Sequence, residues 1–130
     1  NAKALAEYLK EHEAVEWVRY PSLKDSPYRF LAERDFKKGA GGILAFGFRG
    51  TDAQREEFLN SLKLFRYHVN IGDARSLIVN SPQTTHSMLE PDEKVMADIP
   101  ENLIRISAGL EDINDLIADL DQAFKKALNI

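Results

Sequence analysis

The stretch "NLIRISAGLEDINDLIADLDQAFKKAL", Asn102–Leu128, decides the fold class. Leu103–Ser107 alternates: Leu103, Arg105 and Ser107 share one face of an extended strand, while Ile104 and Ile106 share the other. A turn of small residues follows, and from Asp112 the period changes. Ile113, Leu116, Ile117, Leu120, Phe124 and Leu128 recur at helical spacing, which predicts a helix over Asp112–Leu128 with one apolar stripe. A half-apolar strand feeding directly into an amphipathic helix predicts a helix packed on one face of a sheet.

The rest of the chain repeats this grammar. Ala2, Leu5, Ala6 and Leu9 give a first helix from Ala2 to about His12. "AVEWVRYP" reads as a strand ended by Pro21, with Val15, Trp17 and Arg19 on one side and Glu16, Val18 and Tyr20 on the other. A short helix is expected to start near Ser26–Pro27. Ile43–Phe48 is a glycine-flanked strand. In "GTDAQREEFLNSLKLF", Thr51 and Gln54 form a capping-box signature, and Phe58, Leu59, Leu62 and Phe65 line one face of the helix that follows. "YHVNIG" and "SLIVN" read as strand pieces, "SPQTTH" as a polar loop, and "EPDEKVMADI" as a short helix. The expectation is one α+β domain over residues 1–130, a mostly antiparallel sheet with helices on one face.

Composition narrows the chemistry. There are no cysteines among the 130 residues, which excludes disulfides, thiolate nucleophiles and cysteine-based zinc sites and fits a cytoplasmic protein. The net charge of -4, with no basic cluster interleaved with aromatics, points away from nucleic acid as a partner. No apolar run approaches the ~18 residues of a membrane span, so no membrane partner is expected. "NAKALAEYLKEHEAVEW" is amphipathic and charged rather than a signal peptide. It lacks an initiator methionine, which suggests a piece of a longer polypeptide or a processed form.

Motifs exclude more than they assign. "GAGGILAFGFRG" fails both the P-loop and the dinucleotide glycine patterns, leaving turn and close-packing glycines. His12, His68 and His86 have no metal-ligand spacing. His12 is expected at the surface and His68 at a strand edge, while His86 in the polar loop is the one to watch, and no metal is expected. Glu111, Asp112 and Asp115 read as a solvated face near a helix N-terminus. Arg105 stands out because a guanidinium is costly to bury unpaired. Either it faces water, or its paired donors wait for a carboxylate.

Three stretches together, "VEWVRYPSLKDSPYRFLAERDFKKGAGGILAFGFRG", "FLNSLKLFRYHVNIGDARSLIVNSPQTTHSML" and "LIRISAGLEDINDLIADLDQAF", resemble the C-terminal domain of the pyridoxal-phosphate-dependent enzymes of cysteine and methionine metabolism. Within that family "KGAGGILAFGFRG", "NIGDARSL" and "PQTTHSML" are most similar to the O-acetylhomoserine sulfhydrylases. The resemblance spans essentially the whole chain. It implies the small domain of a fold-type-I, aspartate aminotransferase-like enzyme, whose large cofactor-binding domain lies outside these residues. It also implies that the arginine of the family's "RLSxGxE" motif, Arg105 here, holds the substrate α-carboxylate. Ser76, in the "SL" segment, would lie beside that carboxylate, and Thr85 near the substrate in the "TTH" loop. The family's cofactor-binding lysine lies upstream, and no lysine here has a comparable context. Pyridoxal phosphate is therefore expected in the full-length enzyme and not on this domain alone, which would be inactive and carries no catalytic residue of its own.

By resemblance the substrate is O-acetylhomoserine, acetate is replaced by sulfide or a thiol, and the full-length enzyme is a homo-oligomer. A cystathionine γ-synthase or methionine γ-lyase is the alternative within the family. A free-standing module that binds an amino acid is the alternative outside it. Departures are "NSPQTTH", where many relatives have a histidine-proline pair, "YPSL" for "YPGL", and "ISAGLE" for "LSVGIE".

Overall fold

The computed structural model describes all 130 residues. In chain order they form α1 (Ala2–Glu11), β1 (Val15–Arg19), α2 (Arg29–Asp35), β2 (Ile43–Phe48), α3 (Asp52–Ser61), β3 (Arg66–Tyr67), β4 (Leu77–Asn80), α4 (Pro91–Met96), β5 (Leu103–Ser107) and α5 (Ile113–Leu128). A single 3-10 turn, Ser81–Gln83, follows β4. The strands make one five-stranded sheet in the order β1-β2-β5-β4-β3. Every neighbouring pair is antiparallel except β3–β4, which is parallel. The small α+β domain read from the sequence is what the chain adopts. No helix is long and apolar enough to cross a membrane.

Helices α1, α3 and α5 cover one face of the sheet. Leu44, Phe46 and Phe48 of β2, Ile104 and Ile106 of β5 and Ile78 of β4 point into that layer. Leu5 and Leu9 of α1, Phe58 of α3, and Leu116, Leu120 and Phe124 of α5 meet them there, all fully buried. Phe58 and Phe124 stack with ring centroids 4.4 Å apart, and Phe46 meets Phe124 edge-on at 6.2 Å. Burying each of these side chains contributes roughly 1.5–3 kcal/mol, which makes this layer the main source of the domain's stability.

Local chemistry sets the helix ends. The Asp112 carboxylate accepts the Asn114 amide at 2.8 Å, and Asn129 closes α5 in the left-handed conformation at φ 57°. On α3 the Thr51–Gln54 capping box forms as expected, with Thr51 N donating to Gln54 Oε1 at 2.9 Å.

Several expectations change in detail. Helix α3 stops at Ser61, so Leu62 and Phe65 belong to the connection that follows it. The cause is distant in sequence. Asp119 of α5, itself 5% exposed, accepts the amides of Lys63, Leu64 and Phe65 at 2.8–3.2 Å and so caps the turn. Of the expected "YHVNIG" strand only Tyr67 falls in β3, which begins one residue earlier at Arg66. The simple alternation expected for β1 is broken by a bulge between Val15 and Trp17, so that two steps of β1 oppose one of β2. Val15 consequently joins the core while Trp17 crosses to the other face. There it lies against Gly47, where a Cβ would overlap its indole. His12 is half-buried rather than at the surface: it stacks on Phe124 at 4.4 Å and its Nδ1 accepts the Ala14 amide at 3.1 Å.

Candidate substrate site on the open sheet face

No long helix covers the second face of the sheet. Across it the register sets Arg19 of β1 opposite Ala45 of β2, Ala45 opposite Arg105 of β5, and Arg105 opposite Val79 of β4. Residues opposite one another in a ladder point the same way. Two arginines therefore flank one alanine, about two strand spacings or ~10 Å apart at the backbone. The methyl of Ala45 leaves the floor between them low. A cavity of about 280 Å³ lies there, and Arg19, Ala45, Ser81, His86, Ile99 and Arg105 form much of its wall.

Arg105 is half-buried and lines this cavity. Arg19, Arg29, Arg34, Arg55 and Arg75 are ion-paired in the structure, whereas Arg105 is not, and it donates no hydrogen bond to the chain. Its fork of donors thus remains available at a partly desolvated position, where a bidentate carboxylate gains most.

The three residues expected at the site are only partly brought together. Thr85 is exposed in the turn beside the cavity, and its Oγ1 lies 2.8 Å from His86 Nδ1, which fixes the ring that does line the wall. Ser76 lies elsewhere. It is fully buried, its hydroxyl donates to Glu111 Oε2 at 2.8 Å, and it accepts the Gly109 amide at 2.9 Å. The Ser76 amide donates to the other Glu111 oxygen at 2.8 Å. Its hydroxyl is therefore committed to the loop between β5 and α5 and is not open to a ligand.

Glu111 departs from the solvated helix face read in the sequence. Burial opposes its ionisation, but the Ser76 amide and hydroxyl outweigh burial and hold the carboxyl below its usual range. Gly109 permits this closure, because a Cβ there would strike the backbone of Ala74–Ser76. The sequence does not single out Arg19, because it ends a strand that already carries the charged Glu16.

No lysine lines the cavity, and no group of three or more metal-ligating side chains is placed to hold a metal ion. The residues present suit a carboxylate. They do not suit an aldehyde cofactor, which would need an amine.

Comparison with known proteins now places the chain. Residues 1–125 match the family model described as Cys/Met metabolism PLP-dependent enzyme. The chain belongs to that family. It is 41% identical over 127 residues to homocysteine synthase of Schizosaccharomyces pombe, a match that covers 98% of this chain and 30% of that protein. It is 42% identical over 125 residues to L-methionine gamma-lyase of Pseudomonas deceptionensis, covering 96% and 31%. Among solved structures, the O-acetylhomoserine (thiol)-lyase of Campylobacter jejuni, described in its structure as putative, superposes with a TM-score of 0.88. That match is at 37% identity and covers 95% of this chain and 30% of that one. The chain thus spans about a third of the length of the family members it matches. They are fold-type-I enzymes, and the family depends on pyridoxal phosphate.

Proposed function

We propose that residues 1–130 form the substrate-binding C-terminal domain of a pyridoxal-phosphate-dependent transferase that converts O-acetylhomoserine and sulfide or a thiol into homocysteine or methionine plus acetate. The observation that carries this reading is half-buried Arg105, without an ion-pair or hydrogen-bond partner for its side chain, at a cavity on the open sheet face. Arg105 binds the α-carboxylate through two parallel donors and so fixes the orientation of the amino acid. His86 bounds the same space from the turn after β4, and Thr85 contacts its ring. Ser76 acts at one remove, by holding the loop that links the Arg105 strand to α5.

Pyridoxal phosphate, held by the part of the protein outside these residues, supplies the electron sink for loss of the leaving group. Alone, the domain grips a carboxylate and is inactive. Similarity to homocysteine synthase and to an O-acetylhomoserine (thiol)-lyase supports the substrate assignment.

The test is Arg105→Ala in the full-length protein. It is expected to lower kcat/KM for O-acetylhomoserine by about a hundredfold, on the scale of removing one partner of a desolvated charge pair. The bound cofactor's absorbance should be retained. Unchanged kinetics would remove Arg105 from the site. The 42% identity to an L-methionine gamma-lyase supports a second reading, elimination from methionine. Measuring methionine breakdown beside O-acetylhomoserine turnover on the same preparation separates the two.

A further inference from the structure

The segment Thr84–Pro100, which carries His86, α4 and Ile99, lies on the open face with little to hold it. None of the residues of α4 is buried. The segment's own hydrogen bonds are short-range: His86 N to Ser81 O, Leu89 N to His86 O, Ile99 N to Lys94 O and Lys94 Nζ to Glu101 Oε1. One side chain from elsewhere in the fold reaches it. Arg19 Nη1 donates to the backbone oxygen of Asp98 at 2.9 Å, and Nη2 donates to its Oδ1 at 2.8 Å, across 79 positions of sequence.

Both partners are pre-set for this. The Arg19 guanidinium is seated 4.6 Å over the Trp17 ring, which the β1 bulge delivers to this face. Asp98 has φ 54°, a left-handed conformation that turns its carbonyl and carboxylate toward one fork. The next residue, Ile99, is wall of the Arg105 cavity, and so are Arg19 and His86.

We propose that Arg19 and Asp98 are positioning residues, a latch that sets Thr85, His86 and Ile99 at a fixed distance from Arg105 and so shapes the pocket for the amino acid. The proposal rests on the carboxylate-binding reading of Arg105. Arg19 acts through the segment it holds and not on the ligand.

The experiment uses the full-length protein with Arg19→Gln, Asp98→Asn and Arg19→Lys. In Arg19→Gln, KM for O-acetylhomoserine should rise about twofold to fivefold, the scale of a partly exposed charged pair, with kcat and cofactor absorbance unchanged. Amide exchange should quicken over Thr84–Ile99 and stay constant in β5. Asp98→Asn keeps the backbone acceptor and tolerates the left-handed conformation, so its effect should be smaller in the same direction. Arg19→Lys restores charge without the fork and should recover part of the change. A wild-type KM in Arg19→Gln, with Arg105→Ala still impaired, overturns the latch and leaves the substrate reading standing. If Arg105→Ala is without effect, the substrate reading falls and takes the positioning role with it. Exchange over Thr84–Ile99 equal to wild type in Arg19→Gln overturns the latch in either case.

Discussion

The two faces of one sheet are made by alternate residues of the same strands and have opposite characters. On the helix-covered face, Phe46, Ile104 and Ile106 are fully buried among Phe58, Leu116 and Phe124. On the other face, one residue along, Ala45 and Arg105 border a cavity held in place by a single ion pair from Arg19. The helix-covered side carries the main apolar cluster, while the open side presents Arg105, which has no partner within the chain. Stability and recognition are separated by the 180° alternation of a strand. Substitutions on the first face should therefore move the melting transition, and those on the second should move binding.

The sharpest way to break that division is Phe124→Ala. It removes the ring stacked on Phe58 and on His12, and should cost about 3–5 kcal/mol in urea or thermal denaturation, enough to unfold much of a domain this small. Asp119→Ala should come next, at about 1–3 kcal/mol, because the Lys63, Leu64 and Phe65 amides lose their shared acceptor in a part-buried turn. If either variant melts like the wild type, the helical face is not where the stability lies. Arg105→Ala should shift stability by no more than about 0.5 kcal/mol while it lowers kcat/KM by about a hundredfold. A large loss of stability there would mean that the open face is structural as well.

The smallest effect concerns pH. Burial against Phe124 holds His12 below its usual range. Its folded pKa lies under the unfolded value of 6.5, so the folded state favours the neutral ring. Its contribution is present above pH 6.5 and is lost as pH falls through the folded pKa. His12→Gln should flatten the fall in stability on acidification below pH 6.5, measured by denaturation at several pH values. An unchanged slope would assign that fall to carboxylates.

Much of this architecture is legible in the sequence because it is periodic. The 3.6-residue stripe of α5, the Thr51–Gln54 cap and the alternation around Arg105 depend only on neighbours within a turn or a strand. What escapes the sequence comes from partners far along the chain. Nothing near Ser61 indicates that Asp119 will end α3, and nothing near Val15 signals the bulge that turns Trp17 outward. The placement of Ser76 is the clearest case. Resemblance puts it beside the substrate, while the fold commits its hydroxyl to Glu111 and Gly109, 35 and 33 positions away. The Arg19–Asp98 contact, spanning 79 positions, could not be read from either end.

The outward turn of Trp17 has a practical consequence. It is the chain's one tryptophan, and its ring lies under Arg19 and against Gly47 on the open face. The indole is therefore an intrinsic fluorophore at the latch, in place without labelling. Its emission reports on the guanidinium above it, so opening of the face can be followed optically in a domain whose core contains only phenylalanine and tyrosine as aromatic residues.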